Sequence, residues 1–205
     1  PKTSPFRLLY CICNQKTTKR SEKNDRTPPF YRIRDRLAFF EDMGLDSVIL
    51  APFEEVRELS ADAFAGEVLK NTLSARAVVC GFNYRFGKGA SGNGETLARH
   101  FSECHVLPPL LYDGAPVSAS RIREALALGD IPAVTGMLGH PYTLTGRVAH
   151  GKAVGHLLGF PTANIELPEG VIVPRHGVYA CVAETEGKRY AAVTNIGSRP
   201  TVGGH

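Results

Sequence analysis

The sequence predicts two domains, a parallel α/β domain followed by an antiparallel β-barrel or sandwich. From Ile33 to Gly139, short apolar strand-like runs alternate with stretches of helical period, the pattern of a parallel sheet with right-handed crossovers. After about Gly139 the apolar period changes to two, with Gly and Pro breaks between the runs. The 205 residues are enough for two small domains. The change of period sets the boundary near Met137, and no internal repeat is visible.

The elements follow in order. Gln15 to Asp25 are almost wholly polar and read as a solvated loop. Ile33, Leu37 and Phe40 fall at i, i+4 and i+7, a helix that Gly44 stops. Ser47 to Leu50 read as a short buried strand. Ser60 can cap a helix that buries Phe64, Val68 and Leu69. Ala77 to Cys80 form a second strand, Glu95 to Phe101 a helix and His105 to Leu107 a third strand. Ser118 opens a helix carrying Ile122 and Leu126, which stops at Gly129. Asp130 caps a further short helix with Pro132 in its first turn. Beyond the boundary, Tyr142 to Val148, Gly177 to Ala183 and Arg189 to Thr194 read as strands.

Composition narrows the function classes. Apolar residues make up 43% of the chain, which allows a packed core. Lys and Arg number 24 against 20 Asp and Glu, a formal net charge of +4. That excess suits anionic substrates such as nucleotides and is too small to argue for nucleic acid. In Gln15 to Asp25, Glu22 and Asp25 dilute the positive charge and no aromatic residue interleaves, which weakens a nucleic-acid reading of that loop. No apolar run reaches the length of a membrane span, so no membrane partner is expected. The five cysteines are an odd number without paired zinc spacing, which reads as reduced thiols in a cytoplasmic protein. Cys80 and Cys181 lie in apolar runs and read as small core residues.

Three stretches carry chemistry. In the first, glycines recur at 151, 155 and 159, ahead of Phe160-Pro-Thr-Ala-Asn164. Such glycines let backbone N–H groups converge on phosphate oxygens. Thr162 and Asn164 add hard oxygen donors of the kind Mg²⁺ accepts beside a nucleotide. The plain alternative is a β-hairpin with a glycine-rich turn. In the second, Ser118 and Ser120 open a helix whose N-terminus attracts anions, and Arg121 and Arg123 add phosphate donors. The alternative is an N-cap followed by surface arginines. The third, Gly81-Phe-Asn-Tyr-Arg-Phe-Gly-Lys88, follows a strand of the parallel sheet, where open α/β sheets bind ligands. Phe82, Tyr84 and Phe86 could stack on a planar ring and Asn83 could bond its edge. The alternative is a tight turn with core aromatics.

The string Gly159-Phe-Pro-Thr-Ala-Asn164, with Pro141 to Gly151 before it and Gly177-Val-Tyr-Ala180 and Asn195-Ile-Gly-Ser-Arg-Pro-Thr201 after it, closely resembles the riboflavin kinase module. The upstream part resembles the adenylyltransferase module that precedes it in bacterial bifunctional riboflavin kinase/FAD synthetase. The likeness runs from about Pro28 to the end of the chain. It implies a nucleotidyltransferase-like, Rossmann-like α/β domain over residues 1–137 and a riboflavin-kinase β-barrel over 138–205. It also implies phosphorylation of riboflavin to FMN by ATP, and transfer of an adenylyl group from ATP to FMN, with Mg²⁺ as cofactor.

The resemblance assigns roles residue by residue. Gly151, Lys152, Gly155, Thr162 and Asn164 would surround the kinase ATP, with Thr162 and Asn164 on Mg²⁺. Ser118, Ser120, Arg121 and Arg123 match the serine- and arginine-bearing phosphate signature of the FAD synthetase module, with Ala119 and Ser120 in place of its commoner Ser-Thr pair. Asn83, Tyr84, Phe86 and Gly87 would line the flavin side. Departures are present as well. The family's early histidines have no counterpart, since the first His here is His100. The kinase base is expected beyond His205, and Glu166, Glu169, Glu184 and Glu186 do not match its position. The first strand and helix of the α/β domain and the last barrel strands and C-terminal helix are expected to be missing. An unclosed barrel edge would favour self-association. The alternative function is a fragment that binds flavin and ATP without turning them over.

Overall fold

The fold is described from a computed structural model over residues 9–14, 30–31, 33–149 and 162–197, of which 9–14 are described by their backbone alone. The expected loop from Gln15 to Asp25 and the expected phosphate residues Gly151, Lys152 and Gly155 lie outside the described residues. The chain divides into two compact units, one drawn from Pro1–Arg26 and Ile33–Leu110, the other from Thr27–Arg32 and Leu111–His205.

The first unit contains two parallel strand pairs, each with its own intervening helix. Strand β1 (Leu9–Asn14) runs beside β2 (Ser47–Pro52), with α1 (Ile33–Asp42) between them in sequence. Ile33, Leu37 and Phe40 are half-buried, as their spacing predicts. Gly44 ends the turn at φ 78° while its N–H donates to the Glu41 carbonyl at 2.9 Å. Strand β3 (Ala77–Gly81) runs beside β4 (Glu103–Leu107), joined through α4 (Gly94–His100). Asn93 and Thr96 close a reciprocal cap at the start of α4. Among the described residues no ladder joins the two pairs, where one continuous parallel sheet was expected. The ladder hydrogen bonds run between β1 and β2 and between β3 and β4.

Helix α2 (Phe53–Val56) leads to α3 (Ala61–Ala63), where the Ser60 hydroxyl accepts the Ala63 N–H at 3.1 Å. Beyond that turn the chain winds as a π-helix, Phe64–Thr72, rather than as the expected α-helix. Leu73 N–H reaches back five residues to the Val68 carbonyl at 2.9 Å, and the Thr72 hydroxyl donates to the Glu67 carbonyl at 2.8 Å. The burial was expected: Phe64 is buried, and Val68 and Leu69 pack against the same cluster. That cluster also holds Ala65, Cys80, Phe86, Leu97 and Phe101. Cys80 is thus the core thiol its apolar strand implies, and burial raises its pKa.

The loop after β3 is pinned onto α3. Phe86 and Gly92 exchange backbone hydrogen bonds of 3.2 and 2.8 Å, and Lys88 N–H donates to the Leu59 carbonyl at 2.7 Å. Gly87 sits at φ 72°, and a Cβ there would lie 2.7 Å from the backbone N and Cα of Ala61. Two separate constraints therefore demand glycine at this position.

The second unit starts with a hairpin of β5 (Leu111–Tyr112) and β6 (Ala115–Pro116), turned through Asp113 and Gly114 at φ 55° and 72°. Helix α5 (Ala119–Leu128) is capped by Ser118 and ended by Gly129 at φ 78°. Helix α6 (Ile131–Leu138) is capped by Asp130, whose carboxylate accepts the Ala133 N–H at 3.0 Å. The helices pack through Ile122, Ala125, Leu126, Val134 and Met137.

Two antiparallel pairs follow: β7 (Arg147–Ala149) with β8 (Asn164–Glu166), and β9 (Gly177–Thr185) with β10 (Lys188–Ile196). The strand expected from Tyr142 begins only at Arg147. The Tyr142 side chain packs against the helical core and donates its hydroxyl to the Ile172 carbonyl at 2.8 Å, which takes that stretch out of a strand path. Among the described residues no closed barrel forms. Cys181, expected in the core, is only half-buried, with its Sγ 3.1 Å from the Thr194 hydroxyl.

The Tyr31 ring is tilted against His140 and Tyr142, with centroids 5.9 and 6.0 Å away. Burial, then the neighbouring Tyr142, push the Tyr31 phenol from 10.0 up to about 12. Its folded pKa lies above the unfolded one. The associated stability is complete below pH 10 and is lost as pH rises towards 12.

Two measurements check this packing. Gly87→Ala should cost about 3 kcal/mol in chemical denaturation, strain and clash together. Gly89→Ala, at φ 65° with open space around it, should cost only about 1 kcal/mol. Equal losses would dismiss the Ala61 contact. In an alkaline ultraviolet titration, Tyr31→Phe should remove one phenol ionising near pH 12. It should also flatten the fall in stability between pH 10 and 12. An unchanged titration would refute the burial of Tyr31.

Candidate functional site

A cavity of about 570 Å³ opens in the first unit where the loop after β3 faces α2. Its apolar wall comes from Phe53, Val56, Phe64, Tyr84 and Phe86, and its charged wall from Arg57, Glu58, Arg85 and Lys88. Tyr84 and Phe86 stack at 5.4 Å with 22° between their planes, and Phe64 meets Phe86 at 5.5 Å. Phe86 is 8% exposed and Tyr84 38% exposed, so the first is a core residue touching the cavity and the second is open to a ligand. A flat aromatic face above an apolar floor suits a planar ring system.

Three of the four flavin candidates, Tyr84, Phe86 and Gly87, come together in this lining. Asn83 is exposed outside it, as is Phe82. The sequence reading missed Phe53, Val56 and Phe64. Phe53 directly follows β2, at a strand's C-terminal end, and that placement is the signal that could have found it.

Charges bridge the cavity wall. The Glu58 carboxylate accepts Lys88 at 3.0 Å and Arg57 at 3.1 Å, and Arg57 also reaches Glu54 at 2.9 Å. Lys88 foremost, then Arg57, lowers the Glu58 pKa. These groups are exposed, so the pairs orient the wall and add little stability.

The second unit carries the serine and arginine candidates. Ser118 Oγ accepts the Arg121 N–H at 3.3 Å and is the helix cap. Ser120 is exposed in the first turn of α5. Arg121 folds back on the hairpin, donating to the carbonyls of Ala115 at 2.8 Å, Pro116 at 3.0 Å and Tyr112 at 3.2 Å. Those bonds tie the hairpin to α5. Arg123 is half-buried, its guanidinium carbon 4.6 Å from the centre of the Phe30 ring.

Thr162 is exposed two residues before Asn164, which opens β8 and is half-buried opposite Ala149. Both offer neutral hard oxygens. Among the described residues no three His, Cys, Asp or Glu side chains cluster as metal ligands. This donor set fits Mg²⁺ held chiefly by phosphate and water, the usual manner of a nucleotide-bound ion.

The FAD synthetase family model matches residues 9–121, more than half of the chain, and the riboflavin kinase family model matches residues 138–205. The bifunctional riboflavin kinase/FMN adenylyltransferase of Bacillus subtilis is 35% identical over 173 residues, covering 82% of this chain and 54% of that protein. The protein of the same description from Haemophilus influenzae is 36% identical over 179 residues, covering 84% and 58%. The chain thus spans just over half the length of these curated relatives. A crystal structure described as a macrolide-efflux protein from Streptococcus pneumoniae superposes with a TM-score of 0.83 at 26% identity, covering 96% of this chain and 65% of that one. Among the described residues no helix is long and apolar enough to cross a membrane. Two consecutive module matches and the two bacterial relatives agree, and the chain belongs to the family of bifunctional riboflavin kinase/FMN adenylyltransferases.

Proposed function

We propose that this chain serves FMN and FAD synthesis, phosphorylating riboflavin with ATP and then transferring an adenylyl group from ATP to FMN. The observation that carries the reading is the succession of the two module matches along one chain. In the kinase step the riboflavin 5′-hydroxyl oxygen bonds the γ-phosphorus of ATP, its proton passes to water, and ADP leaves. In the transferase step an FMN phosphate oxygen bonds the α-phosphorus of a second ATP, and pyrophosphate leaves. Neither step needs a covalent protein intermediate, so positioning and charge neutralisation supply the acceleration.

The residues divide by step. Tyr84 and Phe86 present aromatic surface to the flavin ring, Gly87 shapes their loop and Asn83 bonds the ring edge. Ser118, Ser120 and Arg123 receive ATP phosphates at the start of α5, while Arg121 holds the adjoining hairpin. Gly151, Lys152 and Gly155 surround the kinase nucleotide. Thr162 and Asn164 hold Mg²⁺, which when bound neutralises phosphate charge. The first domain, 1–137, is Rossmann-like and the second, 138–205, is the riboflavin-kinase barrel. An open barrel edge invites self-association, and the compartment is the cytoplasm.

A second reading is binding of flavin and ATP without turnover. Incubation with riboflavin and Mg·ATP should yield FMN, and incubation with FMN and Mg·ATP should yield FAD and pyrophosphate. Quenching of flavin fluorescence with neither product would select the binding reading, and no flavin response at all would reject both. Thr162→Ala and Asn164→Ala should each weaken Mg·ATP binding about tenfold by calorimetry. Unchanged affinity in both would remove these two residues from the nucleotide site.

A further inference from the structure

Arg121 and Arg123 stand two residues apart on α5, so their side chains leave the helix on different sides. Arg121 is turned to the three carbonyls of the β5–β6 hairpin. Arg123 lies over the Phe30 ring at 4.6 Å. Phe30 is distant in sequence from α5 and belongs to the same unit. It is half-buried against the cluster of Ile122, Leu126 and Val134. The ring therefore touches both the core and the guanidinium.

A guanidinium stacked on an aromatic face is held flat by the ring quadrupole. Its terminal N–H groups lie in that plane, the geometry in which a planar fork meets phosphate oxygens. We infer that Phe30 is a positioning residue for Arg123, orienting its guanidinium towards an ATP phosphate. The inference rests on the proposed assignment of Arg123 to the ATP phosphates. Phe30 acts through the arginine and touches no substrate. Fixing the guanidinium before the nucleotide arrives reduces the ordering cost of binding.

The test uses the full chain carrying Thr162→Ala and Asn164→Ala, so that the other proposed nucleotide site does not contribute. Mg·ATP is titrated calorimetrically, and thermal unfolding verifies each variant. Arg123→Ala should weaken binding about tenfold or more. Phe30→Leu, which keeps apolar volume without a π-face, should weaken it about fivefold, and Phe30→Tyr should restore it. With Arg123→Ala already present, Phe30→Leu should add nothing. Phe30→Met replaces Phe30→Leu should the latter unfold. An undiminished affinity in Phe30→Leu beside a weakened Arg123→Ala overturns the inference and spares the phosphate assignment. A loss that is the same with and without Arg123 also overturns it, as general packing. Unchanged affinity in Arg123→Ala, or no binding in the parent chain, overturns the phosphate assignment and the inference together.

Discussion

The cavity of the first unit depends on one close approach, the Gly87 backbone against the backbone of Ala61. No side chain fits between them, since a Cβ would sit 2.7 Å from two main-chain atoms. The approach lets Lys88 N–H reach the Leu59 carbonyl and sets the Phe86 ring in the core beside Phe64. With Phe86 fixed, Tyr84 stacks on its outer side and faces the opening. The aromatic wall is thus an extension of the hydrophobic core. The charges of Glu58 and Lys88 join the two sides of the same wall.

The second unit separates functions that look alike in sequence. Ser118 caps α5, Asp130 caps α6, and two left-handed glycines end these helices. These local devices fix where α5 starts. Arg121 is committed to the hairpin, while Arg123 lies on an aromatic ring supplied by a remote segment. A run of serine and arginine therefore holds a cap, a scaffold tie and an oriented cation within six residues, Ser118 to Arg123.

Family membership and the local geometry carry different parts of the functional reading. The two module matches establish the family, and the cavity shows how its aromatic loop is built. Thr162 and Asn164 sit at the entrance to β8 with oxygen donors suited to a nucleotide-bound cation. The stacked arginine joins the two lines of argument, since its orientation is a tertiary fact and its chemistry a family expectation.

The sequence by itself determined the helix starts and stops, the change of period near Gly139 and the aromatic loop after β3. These depend on neighbours within a few residues: Ser60, Ser118 and Asp130 as caps, Gly44 and Gly129 as left-handed ends. Only the tertiary structure decided what long-range contacts control. It wound Phe64–Thr72 as a π-helix, moved Tyr142 from a strand to the helical core, left Asn83 outside the cavity and brought in Phe53, Val56 and Phe64. It also gave Arg121 and Arg123 their separate surroundings. Local rules set which residues can begin or end an element, whereas the side of a helix that meets a ring or a carbonyl depends on chain brought in from elsewhere.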